Sequence, residues 1–195
     1  MIDLKINEVT MQQNAKHCKE RNIKLPTFGQ MQNPETISGE IKDGLKNIGL
    51  WETHPSNLFR ITWKNEPVSE GGGFGEVNYV VIPPELSGIK AKIIALVGKW
   101  FPTGAHKVGA TYGCLAPALT TGKFSPAETK AVWPSTGNYC RGGAYVSSLL
   151  GCDSIAILPE NMSRERFDWL EKVAGEVINP LPGLVLFLSP HTRSL

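Results

Sequence analysis

Between residues 90 and 178, short apolar runs of strand length alternate with longer helix-like segments, and this alternation constrains the fold more than any other feature of the chain. Lys92 to Val97 (KIIALV) is the first run, Lys130 to Trp133 the second and Ser154 to Leu158 the third, with Glu176 to Ile178 opening a fourth. Ala105 to Thr121, Asn138 to Leu150 and Ser163 to Ala174 lie between them. Strands that are apolar on both faces need cover on both, and intervening helices supply it. The pattern therefore predicts an α/β fold, a three-layer core around a parallel sheet with right-handed crossovers. In the last helix Ser163 is the expected N-cap, Phe167, Leu170 and Ala174 the buried stripe, and Gly175 the stop. Asp168 and Lys172 have the spacing and order of a stabilising i,i+4 pair.

The flanks differ in character, which divides the chain into residues 1–90, 91–178 and 179–195. The first stretch is polar and punctuated by Leu25-Pro26 and Asn33-Pro34, which mark loops. Ile2, Ile6 and Val9 suggest an opening helix, and Ile37, Ile41, Leu45 and Ile48 another. Glu70 to Glu76 contains four glycines and reads as a turn, with a short apolar strand, Val77 to Ile82, after it. From Val177 to Leu195 the only formal charge is Arg193, and Pro180, Pro182 and Pro190 exclude a helix. Gly183 to Leu188 has the composition of one more strand, but nothing after it would cover that edge. The alternating pattern is expected to end near Ile178, as in a truncated or frame-shifted chain.

Charge and cysteines narrow the function classes. Twenty Lys+Arg against eighteen Asp+Glu leave +2, without the basic excess that nucleic acid or an anionic membrane surface requires. The N-terminal 24 residues are charged throughout and lack the apolar core of a signal peptide. Cys18, Cys114, Cys140 and Cys152 show neither a CxxC nor a Cys/His ligand spacing, so no metal site is expected. They read as reduced thiols of a cytoplasmic protein.

Two segments are too specialised for packing alone. In Lys99 to Ala110, Pro102, Thr103 and Gly104 form a turn after a strand, which puts His106 and Lys107 in the first turn of the next helix. A lysine is unfavourable at the positive end of a helix, and the same field favours its free, nucleophilic amine. The alternative is a solvated lysine at a helix start. In Val132 to Ala144, Ser135, Thr136, Gly137 and Asn138 offer hydroxyls, an amide and unpaired backbone N–H groups, a seat for a carboxylate or simply an ordinary cap. Gly142, Gly143 and Ala144 then allow that helix to pack closely on the sheet. Two such loops on successive units of one sheet would face each other across one crevice.

Thr103-Gly-Ala-His-Lys107 followed by Ser135-Thr-Gly-Asn138 resembles the fold type II pyridoxal-phosphate (PLP) enzymes, the cysteine synthase and tryptophan synthase β-chain group. The similarity is greatest to the bacterial cysteine-synthase-like branch, which shares an element like Phe59 to Trp63, and it covers most of residues 1–178. The resemblance implies a tryptophan synthase β-like fold, with residues 91–178 as its PLP-binding subdomain. It implies that Lys107 is the catalytic lysine that bonds the cofactor, that Asn138 binds the cofactor's 3-oxygen, and that Ser135, Thr136 and Gly137 hold the substrate carboxylate. His106 stands between two readings, a contact to the cofactor phosphate and a helix-start residue facing the cleft. The implied activity is that of a lyase or transferase, a β-elimination or β-replacement on a small amino acid such as serine, cysteine or an O-activated serine; dimers are usual in such families. The family's glycine-rich phosphate cup has no counterpart here, because Gly71 to Glu76 lacks the third glycine of GxGxxG and precedes the wrong elements. A dinucleotide binder fails on the same ground, and a non-catalytic remnant or binding module is the alternative reading.

Overall fold

The computed structural model describes residues 5–135, 137–159, 162–174, 177–181 and 184–188. The described residues are mixed α/β with two small sheets. Helices α1 (Glu8–Glu20), α2 (Phe28–Gln32) and α3 (Gly39–Leu45) precede strand β1 (Tyr79–Ile82), the single turn α4 (Pro84–Ser87) and strand β2 (Ile93–Leu96). Then come α5 (Lys107–Thr120), β3 (Ala131–Pro134), α6 (Asn138–Leu149), β4 (Ser154–Pro159), α7 (Arg164–Ala174), β5 (Val177–Leu181) and β6 (Leu184–Leu188). Among the described residues no helix is long and apolar enough to cross a membrane.

Every predicted apolar run is a strand, but the pairing departs from an all-parallel sheet. β3 and β4 are parallel neighbours joined through α6, as the alternation requires. β4 then pairs antiparallel with β6, and β6 antiparallel with β5, giving the order β3-β4-β6-β5. The Lys92–Val97 run lies outside this sheet: its strand β2 forms a separate antiparallel ribbon with β1, in register Tyr79 to Leu96 and Ile82 to Ile93. Continuous apolarity specifies a strand that wants cover without specifying its neighbour, so the two pairings are indistinguishable from the run alone. On this ribbon Tyr79, Val80, Ile94 and Leu96 are exposed.

The main core lies where α5, α6 and α7 meet β3 and β4. Val108, Tyr112, Leu115 and Leu119 of α5 interlock with Ala144, Tyr145 and Leu149 of α6, and with Trp133, Ala156 and Leu158 from the strands. On α7, Leu170 and Val173 are buried and Phe167 packs at the margin; Gly175 lies outside the described residues. Asp168 takes Arg164 as its i,i+4 partner (2.9 Å) instead of the anticipated Lys172.

The opening helix has a different basis from the one its aliphatic spacing suggests. It starts at Glu8, with the Asn7 side chain accepting from the Thr10 N–H, while Ile6 and Val9 are exposed and Ile2 lies outside the described residues. Polar contacts hold it instead: buried Asn14 donates to the carbonyls of Leu119 (2.8 Å), in the last turn of α5, and Phe124 (2.7 Å), just past it, and His17 Nε2 lies 2.9 Å from the Leu150 carbonyl. The second predicted helix, α3, uses part of its stripe: Leu45 within it and Ile37 just before it are buried against Phe59, with Ile41 packed beside them. Arg60, in the Phe59–Trp63 element, is buried and donates to the carbonyls of Leu45 (2.7 Å) and Ile48 and to Asn57 Oδ1, closing the C-terminal end of α3. Glu70 to Glu76 is a turn, pinned by the Glu66 N–H on the Gly73 carbonyl and the Gly75 N–H on the Lys64 carbonyl.

All four cysteines are free thiols. Burial pushes Cys140 and Cys152 each up to about 12, from an ordinary value of 9.0, whereas Cys114 is exposed. Between about pH 9 and 12 the folded chain thus retains two thiol protons that the unfolded chain has released. Their contribution to stability is complete below pH 9 and is lost as pH climbs toward 12. Thermal melts at stepped alkaline pH should show that decline. A thiol reagent at pH 8 should modify Cys114 first and reach Cys140 and Cys152 only on unfolding.

Candidate functional site

The approach to α5 is a tight, unusual turn. Pro102 to Gly104 forms a single helical turn with the Gly104 N–H on the Phe101 carbonyl (2.9 Å), and both Thr103 (φ +63°) and Gly104 (φ +68°) are left-handed. Gly104 suits this place twice over. Glycine adopts positive φ without penalty, and a side chain there would meet the Trp51 ring at 3.3 Å. Lys107 is the first residue of α5 and half-buried, and its ammonium has no hydrogen bond or ion pair among the described residues.

His106, just before it, is exposed, and its ring stacks on Trp63 with centroids 5.4 Å apart and planes 24° apart. Trp63 in turn meets the edge of Phe101 (5.0 Å). These three rings, with Val77 and Gly109, line an open groove of about 530 Å³ beside the start of α5. His106 therefore belongs to an aromatic rim.

The second loop leaves β3 and enters α6. The Ser135 N–H donates to the Ile157 carbonyl (3.1 Å), and Ser135 Oγ accepts from the Gly137 N–H (3.3 Å), so the hydroxyl caps its own loop. Asn138 is the first residue of α6 and is exposed; Thr136 lies outside the described residues.

The two loops are not on successive strands of one sheet, because β2 belongs to the separate ribbon. Helix packing brings them together instead. A Cβ on Gly142 would sit 3.0 Å from both the Lys107 carbonyl carbon and the Val108 nitrogen, so α6 rests directly on the first residues of α5. Asn138 precedes Gly142 by four positions, on the same face of α6 one turn nearer its N-terminus. The start of α5 and the start of α6 thus lie side by side.

Sequence reasoning missed what braces this junction. Arg141, one turn into α6, lies over the rings of Trp169 (4.5 Å to the centroid) and Trp51 (5.3 Å). Burial foremost, and then nearby Arg166, lower its pKa. Trp51 is the same ring that covers Gly104, so one stack connects the turn before Lys107, the first turns of α6, and α7. Trp51 and Arg141 are ninety residues apart, and no periodicity or motif connects them.

Over 110 residues, 56% of the chain, the sequence is 30% identical to cystathionine beta-synthase of Saccharomyces cerevisiae, and the chain spans 22% of the length of that protein. No family model and no solved structure matches the chain.

Proposed function

We propose that the chain binds PLP at the junction of α5 and α6 and belongs to an enzyme of amino-acid metabolism, one that eliminates or replaces a β-substituent on a small amino acid of the serine or cysteine type. The observation that carries this reading is Lys107 itself: a half-buried lysine whose amine has no partner among the described residues, at the α5 end against which α6 packs. The similarity to cystathionine beta-synthase supports the same class.

The residues present fit such a group. The Lys107 amine, unpaired among the described residues, is available for covalent attachment, and the buried Thr103 hydroxyl, four positions earlier in the chain, has no partner among them either. When bound, PLP supplies an electron sink for negative charge developing at the amino acid's Cα. Lys107 would hold the cofactor through its side-chain amine, and the same amine, when free, would serve as the base that moves the Cα proton. Proton transfer requires the amine to be uncharged. Asn138 donates its side-chain amide to the ring 3-oxygen. Ser135, Thr136 and Gly137 orient the amino acid by its carboxylate at the N-terminus of α6, where backbone N–H groups and the helix dipole favour an anion.

Borohydride reduction of the full chain with PLP, followed by peptide mass spectrometry, is expected to place a single pyridoxyl group on Lys107. Label scattered over surface lysines, or none at all, refutes the reading and favours a non-catalytic binding module.

A further inference from the structure

A polar group whose partner is missing stands four residues before Lys107. Thr103 is only 4% exposed, and its Oγ1 has no hydrogen-bond partner among the described residues. Other threonines of the chain do not behave this way: Thr62 donates to the Met31 carbonyl (2.6 Å), Thr111 to the Val108 carbonyl (3.1 Å) and Thr121 to the Pro117 carbonyl (2.7 Å). Thr103 is also left-handed at φ +63°, a conformation that a β-branched residue adopts only at a cost. A valine would fill the same space without an unsatisfied hydroxyl, and a glycine would accept the backbone without strain. Both features act against the stability of the chain alone, and such features concentrate where a ligand makes use of them.

We propose that the Thr103 hydroxyl is a ligand-binding group, which donates a hydrogen bond to an anionic oxygen of the molecule held at Lys107. The oxygen belongs either to the cofactor or to the amino acid. This inference rests on the reading of Lys107 as a PLP site. In the unliganded chain the hydroxyl is a destabilising element, and in the complex it becomes a source of affinity.

Thr103→Val keeps shape and backbone strain and removes only the hydroxyl, whereas Thr103→Ser keeps it. In the full chain without ligand, Thr103→Val is expected to raise Tm by about 2–4 °C, because a buried unsatisfied group is lost. PLP affinity, read from quenching of tryptophan fluorescence, should fall about tenfold if the oxygen is the cofactor's. If PLP affinity holds but L-serine binds the PLP-loaded chain about tenfold more weakly, the oxygen is the substrate's. Thr103→Ser should restore wild-type affinity in either case. A Thr103→Val chain that binds PLP and L-serine as the wild type does, or a Thr103→Ser chain that fails to restore the affinity lost, overturns this inference alone. A wild-type chain that takes up no PLP overturns it together with the reading of Lys107.

Discussion

The Lys107→Ala chain is expected to lose completely the visible absorption band that PLP develops with the wild-type chain, while melting at the same temperature or slightly above it. The loss follows from chemistry, because alanine has no amine to bond an aldehyde and Lys107 is the lysine at the α5–α6 junction. The preserved stability follows from structure. The Lys107 ammonium makes no ion pair or hydrogen bond among the described residues, so its removal breaks no polar contact. Alanine is the better helix former, and the change withdraws a cation from the positive end of α5. Both effects are worth a few tenths of a kcal/mol, so the net change should lie within about 0.5 kcal/mol in favour of the variant. An absorbance titration with PLP and a thermal melt on the same preparation check the two halves separately. A band that survives assigns cofactor attachment to another amine.

Gly143→Ala should have the largest effect on folding. A Cβ at this position would lie 2.7 Å from Trp133 Cε2 and closer still to Cγ and Cδ2. The indole cannot give way cheaply. It is 5% exposed, its Nε1 donates to Ser147 Oγ (3.0 Å), and its ring meets the edge of Tyr139 at 5.6 Å. Relief therefore requires α6 to lift from β3, which also opens the seam between α6 and the start of α5. Overpacking of this kind costs about 3 kcal/mol or more, equivalent to a fall of roughly 6–12 °C in Tm for a chain of this size. Gly113→Ala is the control. It lies within α5 with nothing inside 4 Å of its would-be Cβ, and should stabilise by about 0.5–1 kcal/mol. Denaturant or thermal unfolding of the two variants should move in opposite directions.

Much of the fold was legible because its signals are local. Helix α6 was legible as the helix-like segment from Asn138 to Leu150, and its glycines announced close packing on the sheet, which Gly143 realises against Trp133, whereas Gly142 instead meets the start of α5. The turn at Glu70 to Glu76 follows from its glycines. Pairing was not legible. Lys92 to Val97 reads as a strand either way, and only its hydrogen bonds to Tyr79–Ile82 exclude it from the sheet of β3 and β4. Helix α1 misled for a related reason. Much of its attachment is polar: the buried Asn14 amide reaches two carbonyls over a hundred positions away and His17 pairs with the Leu150 carbonyl, and hydrophobic spacing carries no trace of such contacts.

At the candidate site the division is similar. Residue chemistry and spacing marked the segments around Lys107 and from Ser135 to Asn138 as unusual, and the resemblance to the fold type II PLP enzymes gave their residues expected roles. The tertiary structure decided how they meet, through α6 lying against α5 and not through neighbouring strands. It also supplied the brace of Trp51, Arg141 and Trp169, the rim of His106 and Trp63, and the isolated hydroxyl of Thr103. The physical reason is one of range. Backbone preference and side-chain period are written into neighbouring residues, whereas desolvation, stacking and an unmet hydrogen bond depend on whichever distant segments the folded chain brings into contact.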